Sequence, residues 1–100
     1  MINKLKVCLI GYGYWGPKLA RNFQNSNYFN LVSVSDKYKS NLIKAKKDFP
    51  LAQVSNDYRK IIDNNVDLVV IATPTETHFK ILGLDRKLGI SATVIIGYIP

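Results

Sequence analysis

Short apolar runs alternate with amphipathic stretches along this chain. The runs at 7–10, 31–35, 52–54 and 68–72 have the length of strands, and the first and last are apolar without the alternation of a half-exposed strand. The stretches between them place apolar residues at helical spacing. Strands that alternate with helices are typical of βαβ units. The pattern predicts a doubly wound α/β domain with a parallel sheet of strand order 3-2-1-4.

Two helices are expected on the first half of the sheet. The first follows residue 16, and Pro17 is tolerated in its first turn because no N–H partner is lost there. The second opens at Lys39 or Ser40 and ends before Pro50. The residues predicted to face inward from these helices are apolar: Leu19, Ala20 and Phe23 in the first, and Leu42, Ile43, Ala45 and Phe49 in the second.

A third, shorter helix is predicted after the third strand. Asn56 or Asp57 would cap it, and Asn64-Asn65 would form the turn that leaves it. Its apolar face would carry Tyr58, Ile61 and Ile62.

The fourth strand is expected to stop at Thr73-Pro74, because proline offers no N–H for a ladder. Carboxyl ends of neighbouring parallel strands meet at one edge of a doubly wound sheet, where ligands bind. The residues placed to reach a ligand there are Thr73, Pro74, Thr75, Thr77 and His78. The alternative for the threonines is capping of a helix that starts near Thr77.

A glycine-rich loop follows the first strand, with the sequence Gly11-Tyr12-Gly13-Tyr14-Trp15-Gly16. In a GxGxxG loop the first glycine permits a tight turn, the second lets backbone approach a pyrophosphate, and the third lets the helix pack closely on the strand. Asp36 ends the second apolar run, where a carboxylate accepts hydrogen bonds from the ribose of an adenine nucleotide. Together they predict a dinucleotide site.

Other interpretations of the loop are weaker. A Walker-type phosphate loop requires Gly-Lys-Ser/Thr, whereas Gly16 is followed by Pro17-Lys18. Methyltransferases resemble this arrangement, but their third glycine usually comes one position earlier. A structural glycine turn without a ligand is the remaining alternative. Trp15 either supports the loop from beneath or flanks a bound ligand.

Composition limits the remaining classes of function. One hundred residues with 47% hydrophobic content suit a single domain spanning 1–100, and the lone Cys8 lies in an apolar run, which predicts a buried, inert thiol. The net charge of +7 comes from scattered lysines, so nucleic acid is not expected as a partner. No apolar run has the length of a bilayer span and no leader pattern is present, so a cytoplasmic protein is expected.

Three separated motifs resemble the Gfo/Idh/MocA oxidoreductases: the glycine loop with the strand before it, Ser35-Asp36, and the run from Ile71 to His78. The resemblance covers about residues 4 to 82, and Gly-Tyr-Trp-Gly-Pro is similar to members that oxidise sugars or nucleotide sugars. It implies a Rossmann domain that binds NAD or NADP. The loop residues 11–16 would contact the pyrophosphate, and Asp36 the adenosine ribose. The nicotinamide half would lie near Thr73, Pro74, Thr75 and His78.

Asp36 favours NAD because it would repel a 2′-phosphate, although the adjacent Lys37 would partly offset that repulsion. Lys37 is therefore included in the candidate cofactor site. For His78, cofactor contact or helix-start packing is expected rather than proton transfer. A lone histidine without a cysteine or histidine partner argues against a metal site.

The resemblance weakens after about Lys80. Family members continue to a strand that ends in Glu-Lys-Pro, which supplies a lysine for proton transfer, and to a second, β-sheet domain for the substrate. Residues 83–100 contain no such motif, although 92–96 has the β-branched content of a fifth strand. No catalytic residue is therefore assigned. The chain is expected to come from a truncated reading of a longer gene and to lack catalysis. The alternative is a non-catalytic module that acts as a homo-oligomer or with a partner subunit.

Overall fold

The strands of this protein form one parallel sheet. The computed structural model describes residues 4–62 and 66–73, and the backbone of 92–95. The elements in chain order are β1 (Leu5–Ile10), α1 (Gly16–Gln24), β2 (Phe29–Ser35), α2 (Lys39–Asp48), β3 (Gln53–Ser55), a single 3₁₀ turn (Tyr58–Lys60), β4 (Leu68–Ile71) and β5 (Ala92–Ile95).

The strand order is β3-β2-β1-β4-β5, and each neighbouring pair is parallel. The predicted order 3-2-1-4 is confirmed, and the expected fifth strand joins the sheet beside β4. The chain moves outward from β1 to β3 and then returns to β4 on the other side of β1. This reversal creates the crevice where doubly wound sheets bind ligands, at the carboxyl ends of β1 and its neighbours.

Alternate residues of the central strands feed two separate cores. Val7 and Leu9 of β1 lie in the core that α1 and α2 cover, whereas Cys8 and Ile10 lie in the core on the opposite face. The strand β4 divides its residues in the same way. A strand covered on both faces must be apolar at every position, which explains the uninterrupted apolar runs. Cys8 is fully buried, as the sequence predicts.

A bulge in β2 changes this alternation once. Val7 pairs with Leu31 and Cys8 pairs with Ser33, so Val32 is the extra residue. Leu31 and Val34 therefore both contribute to the core beneath the helices, although they are three residues apart.

One residue of α2 that the sequence predicts to face inward is exposed. Ala45 is fully buried, and Phe49 packs against the same core. Ile43, predicted to face inward, is 60% exposed. Ala45 and Phe49 are four residues apart and share one side of a helix, whereas Ile43 is rotated away from that side.

The predicted third helix is only the single 3₁₀ turn. The side chain of Asp57 accepts a hydrogen bond from the backbone N–H of Arg59, which confirms Asp57 as the cap. Ile61 and Ile62 are buried in the second core, with Tyr58 packed against it. The predicted turn at Asn64-Asn65 lies outside the described residues.

Candidate functional site

The loop between β1 and α1 begins with a glycine that no other residue could replace without strain. Gly11 has a φ of 104°, a left-handed conformation that favours glycine. A Cβ atom on Gly11 would lie 2.7 Å from the carbonyl oxygen of Ala72 and 3.0 Å from Cγ2 of Thr73. The backbone N–H of Gly11 donates to the carbonyl of Ser35 at 2.7 Å. The turn is therefore held between β2 and the end of β4.

The other two glycines of the loop differ sharply from each other. A Cβ atom on Gly16 would lie 2.2 Å from the carbonyl oxygen of Gly11, so α1 can begin this close to the strand only with glycine. A Cβ atom on Gly13 would meet nothing nearer than Nδ2 of Asn41, at 3.9 Å. Gly13 is exposed and its surroundings are open. A dinucleotide loop needs close packing at the position of Gly16 and free access for the ligand at the position of Gly13.

The first turn of α1 is not capped by a side chain. Trp15 is the N-cap residue and makes no side-chain hydrogen bond to the helix, Pro17 lies in the first turn, and no acidic residue is present there. The N-terminal N–H groups and the positive end of the helix dipole are suited to an anion beside Gly13. These residues therefore fit the pyrophosphate of a dinucleotide.

Asp36 lies immediately after β2, beside this loop. Its Oδ2 atom accepts the backbone N–H of Tyr12, and its Oδ1 atom accepts the backbone N–H of Tyr38, both at 2.8 Å. The side chain is buried. Each carboxylate oxygen can accept a further hydrogen bond. The carboxylate is thus fixed in one orientation and can still accept ribose hydroxyl groups.

Lys37 follows Asp36 and points toward an aromatic ring. Its Nζ atom lies 5.0 Å from the centroid of the Tyr38 ring, a cation–π distance, and both side chains are exposed. Sequence reasoning misses Tyr38, because an aromatic residue at a helix N-cap carries no pattern that marks a backbone donor.

The remaining aromatic residues of the loop face outward. Tyr14 is 75% exposed, and its ring meets the Trp15 ring edge to face with centroids 5.1 Å apart. Nζ of Lys18 lies 5.9 Å from the Trp15 ring centroid. Trp15 is exposed rather than buried beneath the loop, so of the two interpretations of this residue the exposed position fits the one beside a ligand.

Tyr12 reaches the site through its backbone, while its side chain turns into the protein. The ring is 1% exposed and meets the Phe49 ring edge to face, at a centroid distance of 6.4 Å. The hydroxyl donates to Oδ2 of Asp48 at 2.5 Å. Burial, followed by the hydrogen bond and charge of Asp48, raises the pKa of Tyr12 well above its ordinary range, with Arg21 acting in the opposite direction. Sequence reasoning misses Asp48, since 36 residues separate it from Tyr12.

The end of β4 joins the same edge of the sheet. Thr73 lies beside Gly11, because its Cγ2 atom is only 3.0 Å from the point that a Cβ atom on Gly11 would occupy. The predicted site residues Pro74, Thr75 and His78, together with Thr77, lie outside the described residues. The structure therefore brings together residues 11–16, Asp36, Lys37 and Thr73. In the described ranges 4–62 and 66–73, no group of His, Cys, Asp or Glu side chains is arranged to hold a metal ion.

Three features define a dinucleotide-binding domain of the Rossmann type: a parallel sheet of this order, a glycine loop that leads into an uncapped helix, and a fixed acidic residue after the second strand. Residues 5–90 match the sequence model of the Gfo/Idh/MocA family, which is described as an oxidoreductase family with an NAD-binding Rossmann fold. The chain belongs to this family and is an NAD-binding domain.

Individual relatives agree with the family assignment. An oxidoreductase of Escherichia coli strain K12, YdgJ, is 34% identical over 85 residues, which cover 79% of this chain and 22% of the relative. The crystal structure of GenD2 from gentamicin A biosynthesis, in complex with NAD, has a TM-score of 0.83 and 26% identity over 94% of this chain and 27% of its own. The crystal structure of myo-inositol 2-dehydrogenase from Lactobacillus plantarum has a TM-score of 0.81 and 25% identity, and the match covers 90% of this chain and 27% of that protein. The chain thus spans 22% to 27% of the length of these relatives.

Within the described residues, no helix has the length and apolar character needed to cross a membrane.

Proposed function

We propose that this chain holds NAD across the glycine loop, with the adenosine ribose on Asp36, as the cofactor-binding part of an oxidoreductase that acts on a sugar or a nucleotide sugar. The observation that carries this proposal is the fixed carboxylate of Asp36, which lies next to the open position of Gly13. Both of its oxygens are oriented by backbone N–H groups, those of Tyr12 and Tyr38.

The pyrophosphate is proposed to bind where the chain leaves room and offers donors. At Gly13 the absence of a side chain lets phosphate oxygens approach the backbone, since apart from the adjacent residues the nearest atom to the Cβ position is Nδ2 of Asn41, at 3.9 Å. The first turn of α1 supplies unpaired N–H groups and the positive end of its dipole. Lys18 is exposed in the same turn, and its charge adds to the attraction.

NAD is proposed over NADP because Asp36 cannot turn aside without losing two hydrogen bonds. A 2′-phosphate would bring a second negative group against this carboxylate. Lys37 would be the residue to neutralise it, but its Nζ atom lies over the Tyr38 ring. These contacts support recognition of the two ribose hydroxyl groups.

The nicotinamide, when bound, supplies the group that accepts or donates a hydride. Thr73 is proposed to border this half of the cofactor, because it lies against Gly11 at the end of β4. Pro74, Thr75 and His78 are proposed as further contacts on the basis of the family motif. Binding of the substrate and proton transfer are proposed to need residues beyond this domain, since the solved relatives are several times longer.

The substrate class is proposed from the relatives together with the loop sequence. One structural relative is named as a myo-inositol dehydrogenase, which acts on a polyol. The loop carries the sequence Gly-Tyr-Trp-Gly-Pro at residues 13–17, which is similar to members that oxidise sugars. A polyhydroxylated substrate suits both observations.

A pair of matched substitutions tests the proposed site. NADH is titrated into the purified 100-residue chain, into Asp36→Ala and into Asp67→Ala. Asp67 also accepts a backbone N–H, that of Lys6 at 2.8 Å, but at the opposite edge of the sheet. We expect Asp36→Ala to weaken NADH binding by about 10- to 100-fold, the value of hydrogen bonds to a charged group.

Asp67→Ala is expected to leave the affinity within about twofold, because surface substitutions away from a site have small effects. Equal losses in the two variants, or no saturable binding by a folded wild-type chain, would refute the proposed site. Urea unfolding of all three proteins shows whether each remains folded.

A further inference from the structure

We propose that Tyr12 is a positioning residue for Asp36: the hydrogen bond from its hydroxyl to Asp48 fixes the loop amide that orients the ribose-binding carboxylate. This inference rests on the proposed dinucleotide site and assigns a role to the side chain of Tyr12 and to Asp48. The side chain of Tyr12 does not contact the nucleotide in this proposal.

The amide of Tyr12 is the link between the glycine loop and Asp36. Its N–H donates to Oδ2 of Asp36 at 2.8 Å. The preceding residue, Gly11, is fixed by the carbonyl of Ser35, whereas the following residue, Gly13, is exposed and loosely surrounded. Tyr12 is therefore the last anchored residue before the open part of the loop. Where its amide points depends on what holds its side chain.

Two contacts of that side chain lie at the end of α2. Phe49 meets the ring edge to face, and Asp48 accepts the hydroxyl proton. The ring is part of the core beneath the helices and is almost fully buried. The raised pKa of Tyr12 keeps the phenol protonated, so it remains a donor throughout the neutral range. One side chain thus connects the end of α2 to the orientation of Asp36.

A phenylalanine at this position would keep the ring contacts and remove only the tether. Asp48 is exposed, so water can replace the hydroxyl as its partner, and the variant should fold. The freed ring could shift, and the amide with it. Ligand affinity is sensitive to small displacements of the binding groups, and residues that do not themselves touch the ligand hold those groups in place.

The test is a double-mutant cycle on NADH affinity, measured by titration of the full 100-residue chain. Tyr12→Phe is expected to weaken NADH binding about fivefold when Asp36 is present and by less than about 1.5-fold in an Asp36→Ala background, because sites that act through each other are not additive. The control is Tyr28→Phe, which removes a hydroxyl from a tyrosine that is 64% exposed and lies outside the glycine loop, and should leave the affinity unchanged.

The acceptor side provides independent variants. Asp48→Ala should reproduce the loss caused by Tyr12→Phe, whereas Asp48→Asn retains an acceptor oxygen and should restore most of the affinity. If Tyr12→Phe is unfolded in urea titrations, the Asp48 pair decides the question, since Asp48 is exposed.

The proposal is overturned if the loss is the same in the Asp36 and Asp36→Ala backgrounds, which marks a purely structural role. It is also overturned if neither Tyr12→Phe nor Asp48→Ala changes the affinity of a chain that binds NADH. Failure of the folded wild-type chain to bind NADH would instead refute the proposed function on which this role rests.

Discussion

The two edges of the sheet differ in what they offer a ligand. The carboxyl edge carries the glycine loop, the start of α1 and Asp36, with backbone donors directed at one place. The amino edge carries a groove of about 310 Å³. The groove is lined by residues from the end of α1 and from the segment between α2 and β3: Gln24, Asn25, Asp48, Phe49, Pro50, Leu51 and Ala52.

This difference shows that concavity and chemistry are separate properties of a small domain. Leu51, which lines the groove, is 99% exposed. The carboxyl edge has an oriented carboxylate and an uncapped helix. Tyr12 connects the glycine loop to this groove, because its amide donates to Asp36 and its hydroxyl donates to Asp48 in the groove lining.

The largest expected effect separates two glycines of the carboxyl edge. Gly16→Ala places a Cβ atom 2.2 Å from the Gly11 carbonyl oxygen, so we expect it to lower the free energy of unfolding by about 3 kcal/mol. Gly13→Ala meets open space and should change stability by less than about 0.5 kcal/mol.

Gly13→Ala should have a large effect on NADH affinity, although its effect on stability should be small. The added methyl group should weaken binding about tenfold or more, because it occupies the approach of the pyrophosphate. Urea unfolding and NADH titration of the two variants check both parts. A Gly13→Ala chain that binds NADH as well as the wild type would show that the open position is not used by the ligand.

A second prediction concerns cofactor choice at the same edge. We expect NADH to bind about 30-fold more tightly than NADPH, a difference of roughly 2 kcal/mol, because the 2′-phosphate would meet the fixed Asp36 carboxylate. Asp36→Ser should reduce this ratio, whereas Asp67→Ser should preserve it. Parallel titrations with both nucleotides measure the ratio, and a wild-type preference for NADPH would contradict the interpretation of Asp36.

A third prediction uses the pH dependence of the hydrogen bond between Tyr12 and Asp48. The pKa of Tyr12 is raised in the folded chain above its ordinary value of 10.0, so the stability that the neutral phenol contributes is complete below that pH. It is lost as pH rises from there toward the folded pKa, because only the unfolded chain ionises. Between about pH 8 and pH 11, the stability difference between wild type and Tyr12→Phe should shrink by about 1.4 kcal/mol.

Urea unfolding at the two pH values measures this change. Tyr14→Phe serves as the control, because it removes the hydroxyl of a tyrosine that is 75% exposed. A constant difference for Tyr12→Phe would mean that the phenol is not protected in the folded chain.

The smallest effect is expected in the groove. Leu51→Ser alters a side chain that is almost fully exposed, so stability should change by less than about 0.5 kcal/mol. NADH affinity should also stay the same, because the groove lies at the other edge of the sheet. A weakened affinity in this variant would place part of the ligand site at the amino edge.

Much of the fold can be predicted because each local signal agrees with the topology. Uninterrupted apolar runs mark the central strands, and Asp57 marks the cap of the turn after β3. The errors arise where spacing alone is too coarse. Spacing assigns Ile43 to the wrong side of α2, and the short segment after Asp57 has too few residues to form more than one 3₁₀ turn before Ile61.

Sequence predicts the part of the site whose residues lie in one continuous segment, the glycine loop. Gly11, Gly13 and Gly16 are expected to have three distinct roles, and their surroundings differ in that way. The hydrogen bonds from the Tyr12 and Tyr38 amides to Asp36 cannot be predicted, since backbone donors leave no trace in residue identity. The contact between Tyr12 and Asp48 depends on how α2 packs, which periodicity does not specify.

The most direct test of the proposed site is energy transfer from the single tryptophan to bound NADH. Trp15 is the only tryptophan of the chain and lies in the glycine loop itself. If NADH binds there, excitation of Trp15 should give saturable nucleotide emission, which Trp15→Phe abolishes while direct titration still shows binding. Saturable NADH binding without transfer from Trp15 would place the nucleotide away from the loop and contradict the proposal.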